Sequence, residues 1–299
     1  MQRKFIYFIN PISGTKDKKP LLRLIETETA RENIPYEVMH TRQDGDYSFL
    51  PAKITEESIT DIIICGGDGT VSQVTSSLLD TGVNIGIIPM GSGNGLALAA
   101  GIKTNIKKAL KVIFSGKTGT VDGFFINNRF SCMLCGLGFD AQVAHEFAKQ
   151  SSRGLFTYVK QTIRNFFSSP VYPFIIEING FRIDTDAFFI SIANSNQFGN
   201  NVTIAPKASL SDGLLDIVIV NKMNKLNTVY SLLKQIRAGK VKQVSEKVIQ
   251  NKGIIYLQTD RLVIHNPRHA PLHIDGDPAD TDKTFDIRII PGAFRLLQP

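Results

Sequence analysis

Over residues 1–120, short apolar runs alternate with amphipathic stretches, a rhythm typical of an α/β protein. The runs that predict strands are 4–9, 36–40, 61–65 and 85–88. Segment 61–65 (Asp-Ile-Ile-Ile-Cys) is apolar without alternation, as expected for a parallel strand buried on both faces. Helices are predicted over 18–33, from Val71 onwards and from near Asn94. The pattern predicts an open, mostly parallel sheet.

From residue 121 onwards, short strands separated by turn signals predominate. The predicted strands are 124–126, 130–134, 174–178, 187–193, 215–220, 261–265 and 272–274. Predicted helices at 139–149, 153–167 and 224–239 interrupt them. This pattern favours an antiparallel β-sandwich or barrel. We therefore expect two domains, 1–120 and 121–299, with a return of the last strands to the first domain as an open alternative.

Two glycine-rich segments each follow a buried strand and precede a helix. They are 66–70 (Gly-Gly-Asp-Gly-Thr) and 91–94 (Gly-Ser-Gly-Asn). In an open parallel sheet both lie at the carboxyl edge, where ligands bind. Glycine lets backbone approach a ligand closely, and the N–H groups of a helix start attract anions. Two neighbouring loops of this kind suit a polyphosphate. Neither is a Walker A loop, and neither matches the dinucleotide fingerprint.

Asp68 is the informative residue of the first glycine segment. A carboxylate beside phosphate implies a cation between them, so it indicates Mg²⁺. The alternative is a tight turn in which Asp68 only makes local hydrogen bonds. Residues 10–14 (Asn-Pro-Ile-Ser-Gly) end the first strand in the same way, and Thr41 after the second strand offers a hydroxyl. These segments are expected to converge on one site.

Composition excludes few classes of function. The net charge is +7, which suits nucleotides, nucleic acid or anionic membrane, but also a solvated basic surface. Three cysteines, Cys65, Cys132 and Cys135, argue against a disulfide framework and for a reducing compartment. Cys132 and Cys135 are interpreted as buried strand residues. The N-terminal apolar run is too short for a signal peptide, and no run has the length of a membrane span. We expect a cytoplasmic protein with peripheral membrane contact.

The three loop motifs occur in the order Asn-Pro-x-Ser-Gly, Gly-Gly-Asp-Gly-Thr and Pro-x-Gly-Ser-Gly-Asn. In this order they resemble the bacterial lipid kinases related to diacylglycerol and sphingosine kinases. Later segments resemble family blocks as well: 121–123, 138–141, 210–216 and 275–277. The resemblance thus covers nearly the whole chain. The Gly-Gly-Asp-Gly block alone is less specific, because NAD kinases and phosphofructokinases resemble it too.

The resemblance implies a fold and a set of site residues. The fold is an N-terminal phosphofructokinase-like α/β nucleotide domain and a C-terminal β-sandwich, with the active site in the cleft between them. The implied nucleotide contacts are Asn10, Pro11, Ile12, Ser13, Gly14, Thr41, Gly66, Gly67, Asp68, Gly69, Thr70, Ser92, Gly93 and Asn94. Asp275 takes the position of the general base, with Asp68 as the competitor. A hairpin turn is the alternative interpretation of the segment Asp275-Gly276.

The resemblance also implies metal ligands. A structural Mg²⁺ in the second domain would bind Ser209, Asp212 and the carbonyl of Leu214, unless this segment is only a surface turn. Asp277 occupies a position where the family has glutamate, one methylene longer, and is a further candidate for metal. Many relatives read Asn-Asp where this chain has Asn94 followed by glycine, which leaves the identity of the lipid open.

Residues 146–169 mix aromatic side chains with Lys and Arg. This composition suits either a helix lying on an anionic membrane or a core-packing helix with a basic outer face. The leading hypothesis is an ATP- and Mg²⁺-dependent lipid kinase acting at the membrane surface on a diacylglycerol, monoacylglycerol or sphingoid base. The alternatives are an NAD kinase and, from another class, a non-catalytic nucleotide-binding regulator. No nucleic-acid motif is present, and a homodimer remains a hypothesis.

Overall fold

The computed structural model describes residues 2–14, 17–148, 170–197, 205, 207–221, 249–251 and 253–299. Predicted helices at 153–167 and 224–239, and most of the aromatic and basic stretch 146–169, lie outside these ranges. Within them, no helix is both long and apolar enough to cross a bilayer.

The first part of the chain forms a parallel sheet. Its strands are β1 (Phe5–Ile9), β2 (Tyr36–His40), β3 (Asp61–Gly66) and β4 (Asn84–Pro89), in the order β2-β1-β3-β4. Every residue of β1 and β3 is buried, because helices cover both faces, and this explains their unbroken apolar sequences. All four strands end on the same edge, so the segments that follow them meet there.

Five helices connect or flank these strands. They are α1 (Lys19–Arg31), α2 (Leu50–Glu57), α3 (Asp68–Ser76), α4 (Gly95–Ala99) and α5 (Ile106–Ser115). Both ends of α5 are capped by residues that favour such positions. Asn105 accepts a hydrogen bond from the Lys108 amide at 3.1 Å, and Gly116 ends the helix at φ +69°. Helix α3 begins at Asp68, three residues before the predicted start. Asp68 therefore lies in its first turn.

The second part is antiparallel. Its elements are β5 (Thr118–Ile126), β6 (Arg129–Ser131), β7 (Leu134–Gly138), α6 (Phe139–Ala148), β8 (Tyr172–Ile178), β9 (Phe181–Ala193), β10 (Leu215–Asn221), β11 (Ile249–Asn251), β12 (Ile254–Thr259), β13 (Arg261–His265), β14 (Leu272–Ile274), β15 (Asp277–Ala279) and β16 (Thr284–Leu297). Their inward residues form a separate apolar core that includes Phe174, Ile190, Ile217 and Phe285. The α/β-plus-β-sandwich fold class is thereby confirmed.

Strand β16 joins the two halves. It pairs antiparallel with β13 and β5, and its residues Arg295 and Leu296 pair in parallel with Asn84 and Ile85 of β4. The sheet of the first half thus continues into the second. The strands β11, β12, β15 and β16 were not among the predicted ones.

The single strand predicted over 130–134 is two strands in the structure. Strand β6 ends at Ser131 and β7 begins at Leu134. Between them, Cys132 and Met133 leave the strand ladder, and their amides are bonded to side chains. An apolar run does not reveal such a break, because the letters are equally suited to a continuous strand.

An ion pair with a buried carboxylate lies at the edge of the first sheet opposite the glycine loops. Asp61 is fully buried and binds the Arg3 guanidinium through two hydrogen bonds, of 2.7 and 3.1 Å. Arg3 also donates to the carbonyls of Ile113 and Phe114 at the end of α5. A bidentate pair of this kind attaches α5 to the start of the strands.

Candidate active site

The two glycine loops touch through their backbones. A Cβ on Gly91 would lie 2.5 Å from the Gly67 Cα, so neither position tolerates a side chain in this arrangement. Asn94 fixes the second loop, since its amide accepts from the Gly91 N–H and donates to the Gly91 carbonyl, both at 2.7 Å. Asn94 itself has φ +51°, and Ser92 is exposed at the tip of the loop. The side chain of Asn94 therefore shapes the site.

The Asn-Pro-Ile-Ser-Gly segment joins the same edge. The Asn10 amide donates to the Thr70 hydroxyl at 2.8 Å, and its oxygen accepts from the Ile12 N–H at 3.0 Å. Ser13 donates to the Asn10 carbonyl at 3.1 Å. Gly14, at φ +64°, lies against Met90, where a Cβ would be 3.2 Å from the carbonyl oxygen. The three predicted loops are thus one continuous surface.

Several predicted nucleotide contacts remain accessible on this surface. Pro11 and Ile12 are exposed, Ile12 by 75%, and Gly93 is half-buried. Thr41 is positioned at the end of β2 by its own N–H, which donates to the Ile9 carbonyl at 3.1 Å. Gly66 is fully buried, and a Cβ there would lie 2.8 Å from Thr70 Cβ. The segment accordingly holds its shape through close packing rather than flexibility.

Asp68 bridges the two loops. Its carboxylate accepts hydrogen bonds from the N–H groups of Gly95 and Leu96 at 2.9 and 3.1 Å, at the start of α4. Desolvation by burial raises the pKa of Asp68, and the nearby Asp277 carboxylate raises it further. At position 95, a side chain would strike the Met133 sulfur. This explains in packing terms why glycine follows Asn94 in this chain.

Asp275 lies in a buried cradle of donors. One carboxylate oxygen accepts from the Ser131 hydroxyl at 2.8 Å and from the amides of Met133 and Leu134 at 3.2 and 3.0 Å. The other accepts from the Ser72 hydroxyl. Burial raises the pKa of Asp275 to about 6, although the hydrogen bonds from Ser72, Leu134 and Ser131 act in the opposite direction. The carboxylate is ionised at neutral pH and retains appreciable proton affinity.

The donors of this cradle come from both halves of the molecule. Ser72 lies on α3, one turn after Asp68, whereas Ser131 and Leu134 flank the break between β6 and β7. Ser72 also accepts from the Cys132 amide at 3.2 Å and contacts the Cys132 sulfur at 3.1 Å. Ser72 and Ser131 belong to no sequence motif that marks them as site residues. The i+4 spacing from Asp68 was the only available signal for Ser72.

The hairpin that carries Asp275 also brings Asp277 to the first glycine loop. Asp275 and Gly276 form the turn between β14 and β15, as the Asp-Gly signal predicted. The side chain of Asp277 then lies against Gly69, so that a Cβ on Gly69 would collide with the carboxylate. The hairpin turn and the buried acid are therefore two aspects of one structure. Asp68 is close enough to Asp277 and to Asp275 for their charges to interact, so the three carboxylates are neighbours.

The proposed second-domain metal ligands share a turn before β10. Asp212 is exposed and accepts from the Leu214 N–H at 3.1 Å, and the Ser211 N–H approaches the Ser209 hydroxyl at 3.5 Å. Among the described residues, no three His, Cys, Asp or Glu side chains converge as a metal site. One carboxylate, one hydroxyl and one carbonyl fit only a cation that keeps several of its waters.

Comparisons with known proteins place this geometry in a family. Residues 4–126 match the diacylglycerol kinase catalytic domain, and residues 134–298 match the YegS C-terminal NAD kinase beta sandwich-like domain. The chain belongs to the bacterial diacylglycerol-kinase-like lipid kinase family. Membership makes it a kinase and confirms the family suggested by the three loop motifs.

Individual known proteins align with almost the full chain. The probable lipid kinase YegS of Salmonella typhimurium is 28% identical over 95% of this chain and 92% of its own length. The Synechocystis protein sll0036 is 27% identical over 97% of this chain and 69% of its own. A diacylglycerol kinase structure from Bacillus anthracis superposes with a TM-score of 0.74 at 20% identity, over 99% of this chain and 97% of that one. This last match supports the fold alone.

Proposed function

We propose that this kinase transfers the γ-phosphate of ATP, with Mg²⁺, to the hydroxyl of a membrane lipid, a diacylglycerol or a related glycerolipid or sphingoid base. The observation that carries the proposal is the contact between the two halves around Asp275 and Asp277. The hairpin of the second half places Asp275 in its cradle and Asp277 against Gly69 of the first glycine loop. A nucleotide on the loops and an alcohol beside Asp275 would then be neighbours.

The loop surface is suited to a nucleotide. The segments 10–14, 66–70 and 92–94, together with Thr41, lie at the carboxyl edge of the parallel sheet, where Pro11, Ile12 and Ser92 are exposed. Ligands bind at this edge in open α/β sheets, and glycine permits close approach of phosphate oxygens. We assign ATP to this surface, with Asn10 and Asn94 holding the loops in shape through their hydrogen bonds.

Asp68 and Asp277 fit a divalent cation. Asp277 is close enough to raise the pKa of Asp68, and a cation between two carboxylates would relieve their repulsion. Mg²⁺ is commonly held by one or two carboxylates together with substrate phosphates. When bound, it would neutralise charge on the phosphates during transfer. The turn of Ser209, Asp212 and Leu214 is proposed as a separate structural cation site.

Asp275 is proposed as the general base. As the lipid hydroxyl oxygen forms its bond to the γ-phosphorus, its proton passes to an Asp275 oxygen, and the bond to the bridging oxygen of ADP breaks. A base is most effective when its pKa lies near the operating pH, and burial raises the pKa of Asp275 to about 6. Asp68 is the competing base; its two oxygens accept from the start of α4, just as both oxygens of Asp275 accept hydrogen bonds in its cradle, so the variants Asp275→Asn and Asp68→Asn have to distinguish them.

The proposal also includes where the protein acts. A lipid substrate requires contact with a membrane surface, so we propose a cytoplasmic kinase with peripheral membrane contact. No nucleic acid takes part in this reaction. A homodimer is a further hypothesis, which analytical ultracentrifugation would test. The rival of greatest weight is NAD phosphorylation, because the matched second domain is described as NAD kinase-like.

The test is transfer of label from γ-³²P-ATP with Mg²⁺ to a total lipid extract in detergent micelles, with NAD in a parallel reaction. Label in an organic-phase product, absent with Asp275→Asn, supports the proposal, and chromatography identifies the lipid class. Label on NAD alone would replace it with the NAD kinase. Label in neither, while ATP still binds, would favour a regulator.

A further inference from the structure

The turn that carries Asp275 has an unusual backbone. Asp275 has φ +50° and Gly276 has φ +85°, and Ile274 pairs with Asp277 across them. Positive φ at both central residues is the pattern of a type I′ turn. Glycine adopts it freely and aspartate tolerates it, which is why Asp-Gly is a favoured pair in this turn. The conformation of this turn decides where the Asp275 carboxylate and Asp277 point.

A buried histidine holds the second half of the turn. The Gly276 N–H donates to Nδ1 of His273 at 3.3 Å, and His273 is only 1% exposed. Because Nδ1 accepts this bond, a neutral ring carries its hydrogen on Nε2. That nitrogen lies 3.4 Å from a carboxylate oxygen of Asp140. Asp140 is therefore placed to receive the Nε2 hydrogen and to select this tautomer.

The surrounding packing leaves space for this pair. A Cβ on Gly136 of β7 would lie 2.6 Å from His273 Nε2 and would also strike the Asp140 carboxylate. Asp140 lies in the first turn of α6, where its other oxygen accepts from the Ala141 N–H at 2.8 Å. A histidine on α6, His145, contacts the Leu272 carbonyl at 2.8 Å through Nε2. Helix α6 is thus attached to two consecutive residues of β14.

We propose that His273 is a positioning residue: with its tautomer selected by Asp140, it holds the Asp275–Gly276 turn in register with the glycine loop. Its ring contacts the turn and α6, so it acts on the reaction through Asp275 and Asp277. The kinetic consequence rests on the proposed function, whereas the tautomer is a property of the folded chain. Each can therefore be tested separately.

Three substitutions distinguish the hydrogen bonds of His273 from the space that its side chain fills. His273→Asn places an amide oxygen near the position of Nδ1 and keeps an acceptor for Gly276. His273→Gln reaches towards Asp140 but offers nothing at Nδ1. Since partners that orient a functional group typically contribute about 10–100-fold, we expect kcat for lipid phosphorylation to fall about tenfold or more in His273→Gln. His273→Asn should stay within about threefold of the parent, with KM for ATP unchanged in both.

The third substitution, Asp140→Asn, keeps the volume but offers an N–H to Nε2. It should move the ring hydrogen to Nδ1, where it opposes the Gly276 N–H, and lower kcat by about the same factor as His273→Gln. Imidazole ¹⁵N shifts of the full-length protein report the tautomer directly. We expect hydrogen on Nε2 in the parent and on Nδ1 in Asp140→Asn.

The outcomes are decisive in both directions. Equal kcat losses in His273→Asn and His273→Gln, or losses that follow thermal stability alone, would overturn the positioning role. So would a parent protein with the hydrogen on Nδ1. If the parent phosphorylates no lipid, the proposed function fails, and the ¹⁵N result alone then supports or rejects the role of Asp140 and His273.

Discussion

Replacing Asp275 with asparagine should stabilise the protein while stopping the reaction. The amide has almost the shape of the protonated acid. Its oxygen can accept from Ser131 and the Leu134 amide, and its NH₂ can donate to the Ser72 hydroxyl. What disappears is the charge, whose burial raises the pKa of Asp275 to about 6. The variant therefore measures how much free energy it costs to keep this carboxylate ionised in its buried cradle.

The magnitude follows from the displaced pKa of Asp275. An exposed aspartate has a pKa of 3.8, against about 6 here. At about 1.4 kcal/mol per pH unit, the difference corresponds to ~3 kcal/mol. Because the folded protein binds this proton more tightly than the unfolded chain, the free energy of unfolding falls as pH rises from about 4 to about 6. Above that window the full destabilisation persists, so at pH 8 Asp275→Asn should be more stable by up to ~3 kcal/mol.

The assay is thermal unfolding of the parent and the variant from pH 4 to pH 8, alongside lipid kinase activity. At roughly 2 °C per kcal/mol for a chain of this size, Tm at pH 8 should rise by ~6 °C, and the difference should vanish near pH 4. Loss of a general base should lower kcat by about 10²–10⁴. Asp280→Asn, an exposed residue beyond the same hairpin, is the matched control and should follow the parent in both measurements.

Two results would refute this reasoning. A Tm difference that does not depend on pH would show that the Asp275 carboxylate is not destabilised by burial. Activity of Asp275→Asn within about threefold of the parent would exclude Asp275 as the base, since base catalysis contributes far more than that. The second result would transfer the role to Asp68.

Three further substitutions test other parts of the molecule. Gly69→Ala places a methyl group against the Asp277 carboxylate, so we expect kcat in the lipid assay to fall about tenfold or more. Retained activity would show that the contact between Gly69 and Asp277 is dispensable. Arg3→Met leaves Asp61 buried without its bidentate partner, so thermal unfolding should show the free energy of unfolding lowered by about 3–5 kcal/mol. We expect KM for ATP to be unaltered. An unchanged Tm would contradict the importance of this pair. Asp212→Ala should reduce the rise in Tm that Mg²⁺ causes without nucleotide, and an unchanged rise would show that this turn binds no cation.

Much of the first half could be predicted from the sequence because buried parallel strands have a distinctive composition. The run Asp-Ile-Ile-Ile-Cys and the glycine segment after it placed β3 and the start of α3 correctly, apart from three residues. The prediction set the helix at Val71 because glycine and aspartate have low helix propensity. In the structure, tertiary contacts override that propensity: Asp68 in the first turn is held by Gly95 and Leu96.

The sequence motifs predicted where the site lies but not the hydrogen bonds that connect its residues. Asp275 and Asp68 stood out by their neighbours in sequence, whereas Ser72 and Ser131 lie in ordinary helical and strand contexts. Their importance arises only when the hairpin docks between the two halves. His273 was missed for the same reason, since its partner Asp140 is distant in sequence. Periodicity reports burial, while such partnerships depend on how the elements pack.

Strand β16 has a consequence for the order in which this protein can fold. During synthesis, β4 emerges early with its outer edge unpaired, and Arg295 and Leu296 become available to it only after the sandwich strands have been made. An unpaired strand edge invites association with other chains. A fragment of residues 1–126 should therefore be prone to aggregate, and the intact molecule should unfold in a single transition.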